Sequence, residues 1–301
     1  MKVGFIGAGV IGTALGILLK NKGYSIGGYY NRSLDQAQVS AKLVGTYYHH
    51  SMFSLCSAVD VVFITTNDDS IFEVARDLAE QKAITSKHSV IHCSGSLDLT
   101  VLNPVKELGA DVLSIHPLQA CASVEKAVSA IPGSVFSIEG GEKQRLLGKG
   151  FVEALDGQYF YIEGQNKVLY HAAAVMASNY LVVLLDLSRQ MMTEAGLPHE
   201  RFYDAILPLV EGTLQNIRQL DTPQALTGPV SRGDINTIKD HILAIKKHLP
   251  DCYDAYRVLT KKAVPLALAK ETLDQRSAQM IYDLLGKGTR DEDTKNNCRN
   301  S

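Results

Sequence analysis

Three glycines near the start of the chain have a spacing that can do chemistry. Gly7, Gly9 and Gly12 form the pattern G-x-G-x-x-G, just after the apolar run 3–6 and ahead of a helical apolar pattern that reaches Gly23. In such a turn the first glycine allows the tight exit from a strand. The second lets backbone N–H groups approach a pyrophosphate, and the third lets helix and strand pack closely. Phosphate oxygens would then meet the free N–H groups and the positive dipole end of the helix, at Val10 and Ile11. The expected ligand of Gly7, Gly9, Val10, Ile11 and Gly12 is a dinucleotide.

A second stretch selects between dinucleotides. Residues 24–30 read as a strand that ends in Asn31-Arg32-Ser33. NAD-selective folds place an acid near this point to bind the ribose 2′-hydroxyl. Here an arginine and a serine stand instead. A guanidinium pairs with a 2′-phosphate through charge-assisted bonds, whereas a carboxylate repels it, so the pattern favours NADP.

Further polar residues stand where apolar runs stop. Thr65-Thr66-Asn67 closes the run 59–66, Ser94-Gly95-Ser96 follows 89–93, and His116-Pro117 follows 111–115. Runs at 134–139 and 159–162 complete seven expected strands, with helical patterns between them. This alternation implies an α/β class: an N-terminal doubly wound, Rossmann-type parallel sheet whose ligands bind outside the carboxyl ends of the strands. That rule adds Thr65, Thr66, Asn67 and Ser94 to the expected cofactor contacts.

Beyond residue 164 no strand pattern recurs, and the second domain is expected to be all helix. The division is residues 1–164 for dinucleotide binding, 165–287 for a helical substrate and dimerisation domain, and 288–301 for a polar tail expected to be disordered. A long helix is expected over 166–195, followed by helices at 199–220, 234–248, 251–270 and 273–286, with Asp234 and Asp251 as N-caps. His171, Ser178 and Asp186 recur at helical spacing as a narrow polar stripe on the long helix, with Asn179 beside Ser178. Residues 169–187 are long enough to span a bilayer, but these polar residues interrupt them, so a buried helix is expected. The loop 227–234, TGPVSRGD, joins a proline, two glycines and Arg232 in a shaped connection of the kind that carries function.

Composition excludes several classes. The chain has 301 residues, 46% hydrophobic and 21% charged, with a formal net charge of −2. That balance gives no electrostatic footprint for nucleic acid or an anionic membrane. The five cysteines are scattered without a C-x-x-C pair, which argues against a disulfide framework or a structural metal and suits the cytoplasm.

With GAGVIG (7–12), NRS (31–33), TTNDDSI (65–71), HCSGSL (92–97), SIHPLQ (114–119), YHAAAVMASNYL (170–181) and TGPVSRGD (227–234) in view, the chain resembles the 6-phosphogluconate dehydrogenase superfamily. That group includes ketopantoate reductase, pyrroline-5-carboxylate reductase and the β-hydroxyacid dehydrogenases. Within it the chain is most similar to a branch of Rossmann-like oxidoreductases with a helical domain of unknown function. The resemblance implies NADP-dependent hydride transfer to or from a small polar carbonyl, hydroxy-acid or imine in an interdomain cleft, and a homodimer formed through the helical domains. One departure stands out. The β-hydroxyacid dehydrogenases carry a catalytic lysine one turn before an asparagine of the long helix. Asn179 matches that asparagine, but Val175 stands one turn earlier and Lys167 lies too far upstream.

Without that lysine the proton falls to histidine, whose ordinary pKa lies near 6.5. His171 is the first candidate and His116 the second. Ser94 and Ser96 could bond a substrate carboxylate or the nicotinamide amide, Asn179 could orient substrate, and Arg232 could supply positive charge from the same or a partner subunit. Two other readings use the same fold: an NADP-binding sensor without turnover, and hydride exchange between NADP and a deazaflavin coenzyme.

Overall fold

The computed structural model describes residues 1–286; the expectation of a disordered tail over 288–301 lies outside the described residues. The chain divides into two compact units, Met1–Tyr180 and Leu181 onward. Strand patterning stops near residue 164, as the sequence indicates, yet the first unit continues to Tyr180 because the helix Lys167–Ala177 sends side chains to the sheet.

Seven strands form the sheet of the first unit: β1 (Lys2–Ile6), β2 (Ser25–Tyr30), β3 (Val61–Ile64), β4 (Ser89–His92), β5 (Asp111–Pro117), β6 (Val135–Glu139) and β7 (Gln158–Tyr161). Their order is β2-β1-β3-β4-β5-β6-β7. The chain leaves β1 for β2 on one side and then crosses to β3 on the other. This reversal opens a crevice at the carboxyl ends of β1 and β3, the switch point where such sheets take ligands. Five strands, β1 to β5, run parallel, but β6 is antiparallel to β5. The expectation of a parallel sheet is corrected there, because an apolar run specifies a strand and leaves its direction open.

The two sheet faces differ. Phe5, Phe63, Ile91, Leu113, Ile115, Phe136 and Ile138 build the larger core with the helix Val10–Asn21. On the opposite face Ile6, Val62, Ile64, Val90 and Val112 form a second core. Continuing along that face, the alternation of strand side chains brings His92, then Ser114 and His116, then Ser137 and Glu139 to the surface of β4, β5 and β6. The apolar face thus becomes polar on one side.

The first helix is held unusually close to the sheet. A Cβ on Gly16 would lie 1.8 Å from the Tyr29 hydroxyl, which itself donates to the Gly12 carbonyl at 2.9 Å. Tyr29 is fully buried and stacks on Phe5 with ring centroids 5.0 Å apart.

In the second unit the helix Phe202–Leu220 comes first, and the helices Ile235–His248, Tyr253–Ala269 and Gln275–Leu285 enclose a core that includes Val230, Ile238, Val264 and Ile281. Asp234 caps its helix, accepting from the Thr237 N–H at 3.1 Å. Asp251 does not act as the expected cap. It lies in a 3-10 turn, Pro250–Cys252, which leads into the helix at Tyr253.

The long helix is also corrected. It comprises Lys167–Ala177 and Asn179–Glu194, interrupted at Ser178, and Lys167 is the one buried residue in it. The segment Gly164–Glu194 has a mean hydropathy of 1.7 over its most apolar window, enough by length and composition to cross a membrane, and among the described residues no side chain of that window is fully buried. Apolar composition says that a helix needs a cover. It does not say that the same chain provides it.

Candidate functional site

The glycine loop folds as its spacing requires. Gly7 has φ +106°, and a Cβ there would lie 2.6 Å from the Thr65 backbone carbon. Thr65 donates from Oγ1 to the Gly7 carbonyl at 2.8 Å, so the ends of β1 and β3 are tied across the crevice. Gly9 caps the helix Val10–Asn21 in an extended conformation with no side-chain bond to the helix N–H groups. A Cβ on Gly9 would meet nothing within 4 Å. Open space above unpartnered N–H groups is the geometry a phosphate needs.

A cavity of about 650 Å³ extends from this loop. Its lining includes Gly7, Gly9, Asn31, Arg32, Thr65 and Asn67, so residues from both sides of the switch point face one space. The same lining holds Ser33 and Thr66; Val10, Ile11 and Gly12 follow directly in the helix turn. Asn31 donates to Gln36 Oε1 at 2.9 Å and to the Ser33 carbonyl at 3.2 Å, which shapes the turn. The Ser33 hydroxyl caps the helix Leu34–Val44. Arg32 is exposed and has no ion pair among the described residues, leaving its guanidinium for an anion. These residues fit a 2′-phosphorylated dinucleotide.

A second cluster stands at the ends of β4 and β5. Asp68, in the turn after β3, accepts from Ser94 Oγ at 2.7 Å and from Ser96 Oγ at 2.9 Å. Ser94 Oγ also accepts from the N–H groups of Ser96 and Leu97 at 3.2 and 3.1 Å. The buried Ser94 hydroxyl is therefore committed to holding its own turn, and Ser96 is the more open of the two. That turn brings Gly95 against two histidines. A Cβ on Gly95 would lie 2.8 Å from His116 Nε2 and 2.9 Å from His171 Cδ2. His116 Nδ1 lies 2.8 Å from the Tyr170 hydroxyl. The His116 and His171 rings are 6.2 Å apart between centroids.

The structure therefore groups His116, His171 and Ser94, but it does not bring Asn179 to them. Asn179 is exposed at the start of its helix, eight residues beyond His171, or about 12 Å along a helix axis. Arg232 belongs to the second unit. There it lines a recess with Thr227, Gly228, Ser231, Lys270 and Thr272.

Sequence spacing gives Asp68 and Tyr170 no role in the site and sets Lys167 aside as too far upstream, yet each makes contacts that matter here. Lys167 is fully buried, with Nζ 2.5 Å from Ser114 Oγ and 3.5 Å from Glu139 Oε2. The signal was present in the alternation Ser114/His116 and Ser137/Glu139, which marks one polar face on each of two strands. Burial pushes His116 down to about 4, with the Lys167 and His171 charges acting the same way and Asp68 opposing. His92, fully buried, is held well below the ordinary histidine range for the same first reason, and Lys167 again adds to it. Burial raises the Glu139 carboxyl, while Lys167 opposes that rise.

Two family models match this architecture. A Rossmann-like domain covers residues 1–117, and the domain of unknown function DUF2520 covers residues 134–263. The chain is a Rossmann-like protein with a DUF2520 C-terminal domain. Among solved structures, a Bacteroides fragilis protein provisionally named an NADP oxidoreductase is similar over 88% of this chain and 98% of its own, at 22% identity and a TM-score of 0.73. A Thermotoga maritima protein is 28% identical, covering 89% of this chain and 99% of its own, with a TM-score of 0.69. A reductive aminase from Aspergillus terreus, solved with NADPH and ethyl levulinate, covers 93% and 98% at 15% identity and a TM-score of 0.65. A search of curated proteins returns no match.

Proposed function

We propose that this protein is an NADP-dependent oxidoreductase that transfers hydride between NADP(H) and a small polar carbonyl, hydroxy-acid or imine. The observation that carries this reading is one unit holding both the open glycine loop with Arg32 and the His116–Tyr170–His171 group at neighbouring strand ends. NADPH, when bound, supplies the hydride. The chain does the rest. Gly7, Gly9 and Gly12 admit the pyrophosphate, Arg32 pairs with the 2′-phosphate, and Thr65, Thr66 and Asn67 line the path onward. His171, partly exposed beside Gly95, exchanges the proton that balances the hydride. Its side chain is in reach of solvent, which can restore its charge state after each turnover.

The test is turnover of NADPH by the full chain with a panel of keto acids, aldehydes and cyclic imines. His171→Ala should lower kcat by about a hundredfold or more with the productive substrate, the usual yield of a positioned acid or base. Unchanged turnover across pH would remove the proton-donor role.

Cofactor preference gives an independent measurement. Arg32→Ala should raise the Kd for NADPH about tenfold or more, the loss expected of one hydrogen bond to a charged group, while NADH binding changes little. Equal weakening of both cofactors would mean that Arg32 does not read the 2′-phosphate.

A second copy of the chain is the natural cover for the exposed apolar helices of the second unit. Val182 and Val183 are 68% and 52% exposed, and Leu209 and Leu214 are 64% and 53% exposed. Large apolar side chains left exposed on two helices of one unit are the kind of surface that a partner covers. Light scattering should give twice the 32.8 kDa chain mass, and Val182→Glu with Leu209→Glu should lower it. A wild-type chain that remains monomeric at high concentration would refute the homodimer.

A further inference from the structure

Lys167 has no solvent exposure, a rare state for an ammonium that requires paired surroundings. The dinucleotide loop does not use it, and it is not at the surface to meet substrate. Its position relative to His116 is specific. Ser114, which Nζ approaches to 2.5 Å, lies two residues before His116 on the same face of β5. Glu139 lies opposite Ser114 in the sheet register, and Ser137 lies opposite His116. Lys167 therefore occupies the row immediately beneath His116. From above, Tyr170 and His171 reach His116 from the same helix that carries Lys167.

Mechanical support alone would not need these groups. A buried ion pair replaced by apolar side chains of similar volume is often neutral or stabilising. The charge has another use. The Tyr170 hydroxyl can donate to His116 Nδ1 only if that nitrogen is unprotonated. The neutral ring then carries its hydrogen on Nε2, the atom that faces Gly95. A protonated ring would have a hydrogen on both nitrogens and turn Tyr170 from donor to acceptor.

We propose that Lys167 is a positioning residue: anchored on Ser114 and Glu139, its ammonium fixes His116 as a neutral ring that accepts the Tyr170 hydroxyl at Nδ1 and offers Nε2–H to the reacting oxygen or nitrogen. The last clause rests on the oxidoreductase reading; the ring state does not. His116 donates a hydrogen bond throughout and transfers no proton, so His171 retains that task. The low His116 pKa agrees, burial being its largest cause and Lys167 the next. The charged and titratable groups around the ring are Lys167, Tyr170 and His171 on the helix, Asp68 in the turn after β3, His92 and Cys93 at the end of β4, and Glu139 on β6. Of these, Asp68 acts in the opposite sense.

The test is nitrogen-15 NMR of His116 in the full chain, titrated from about pH 3.5 to 8. The wild type should show the Nε2–H tautomer at neutral pH. Lys167→Met combined with Glu139→Gln removes both charges without leaving either alone in the interior. In it the His116 midpoint should rise by about one pH unit, the low end of the effect of a nearby charge. The acid limb of any turnover profile should move up with it. Ser114→Ala keeps both charges and should leave the midpoint in place. A folded double variant with an unmoved midpoint, or a wild-type ring carrying its hydrogen on Nδ1, would overturn the proposal. If the ring behaves as described but the chain neither binds NADPH nor reduces any substrate, the oxidoreductase reading fails and the role of Lys167 in setting the ring survives.

Discussion

Gly12→Val is expected to abolish NADPH binding, lowering affinity by more than about a hundredfold. A Cβ at this position would stand 2.3 Å from Thr65 Oγ1 and 2.6 Å from the Gly7 carbonyl oxygen. Those two atoms form the 2.8 Å bond that ties the ends of β1 and β3. The added side chain must separate the helix from the crevice floor, and the N–H groups at Val10 and Ile11 move with it. Gly9→Ala provides the complementary measurement. Its Cβ would meet nothing within 4 Å, so thermal stability should be preserved while NADPH binding weakens. Titration of cofactor fluorescence, with a melting curve on each variant, separates the two effects. Wild-type affinity in Gly9→Ala would show that the phosphates do not lie over this residue.

Lys167→Met should produce the largest loss of stability, about 3–5 kcal/mol, because it leaves the Glu139 carboxylate buried without its cation. The partners are 0% and 11% exposed, so water cannot replace the lost charge cheaply. For a folding unit of this size the melting temperature should fall by roughly 6–20 °C. Adding Glu139→Gln should recover much of the loss, since the penalty comes from an unpaired charge. A fall of less than about 1 kcal/mol in the single variant would place the pair in the weak class of solvent-screened bridges.

What the sequence discloses, and what it withholds, follows from the range of each physical signal. The glycine loop, the seven strands and the shift to helices are written in local periodicity and steric need, and all are recognisable from neighbouring residues. The direction of β6 is not, since apolar runs read alike in either direction. The polar face beneath His116 requires two strands in register: Ser114 and Glu139 are far apart in sequence and become neighbours only in the sheet. Spacing along one helix separates Lys167 from Asn179 and gives it no role, whereas its partners lie across the sheet. The exposed long helix shows a further limit, because hydrophobicity identifies a surface to be covered and leaves the covering chain unspecified.

Tyr29 places a constraint on anyone who would retarget this protein to a different coenzyme. Its hydroxyl fills the space a side chain at Gly16 would occupy and grips the Gly12 carbonyl, while its backbone leads within three residues to Asn31 and Arg32. The strand that leads to the proposed ribose contacts is therefore also the clamp that sets the height of the glycine loop. Libraries that diversify residues 31–33 should hold Tyr29 fixed, because a shift in β2 is transmitted through this one phenol to the opposite end of the ligand.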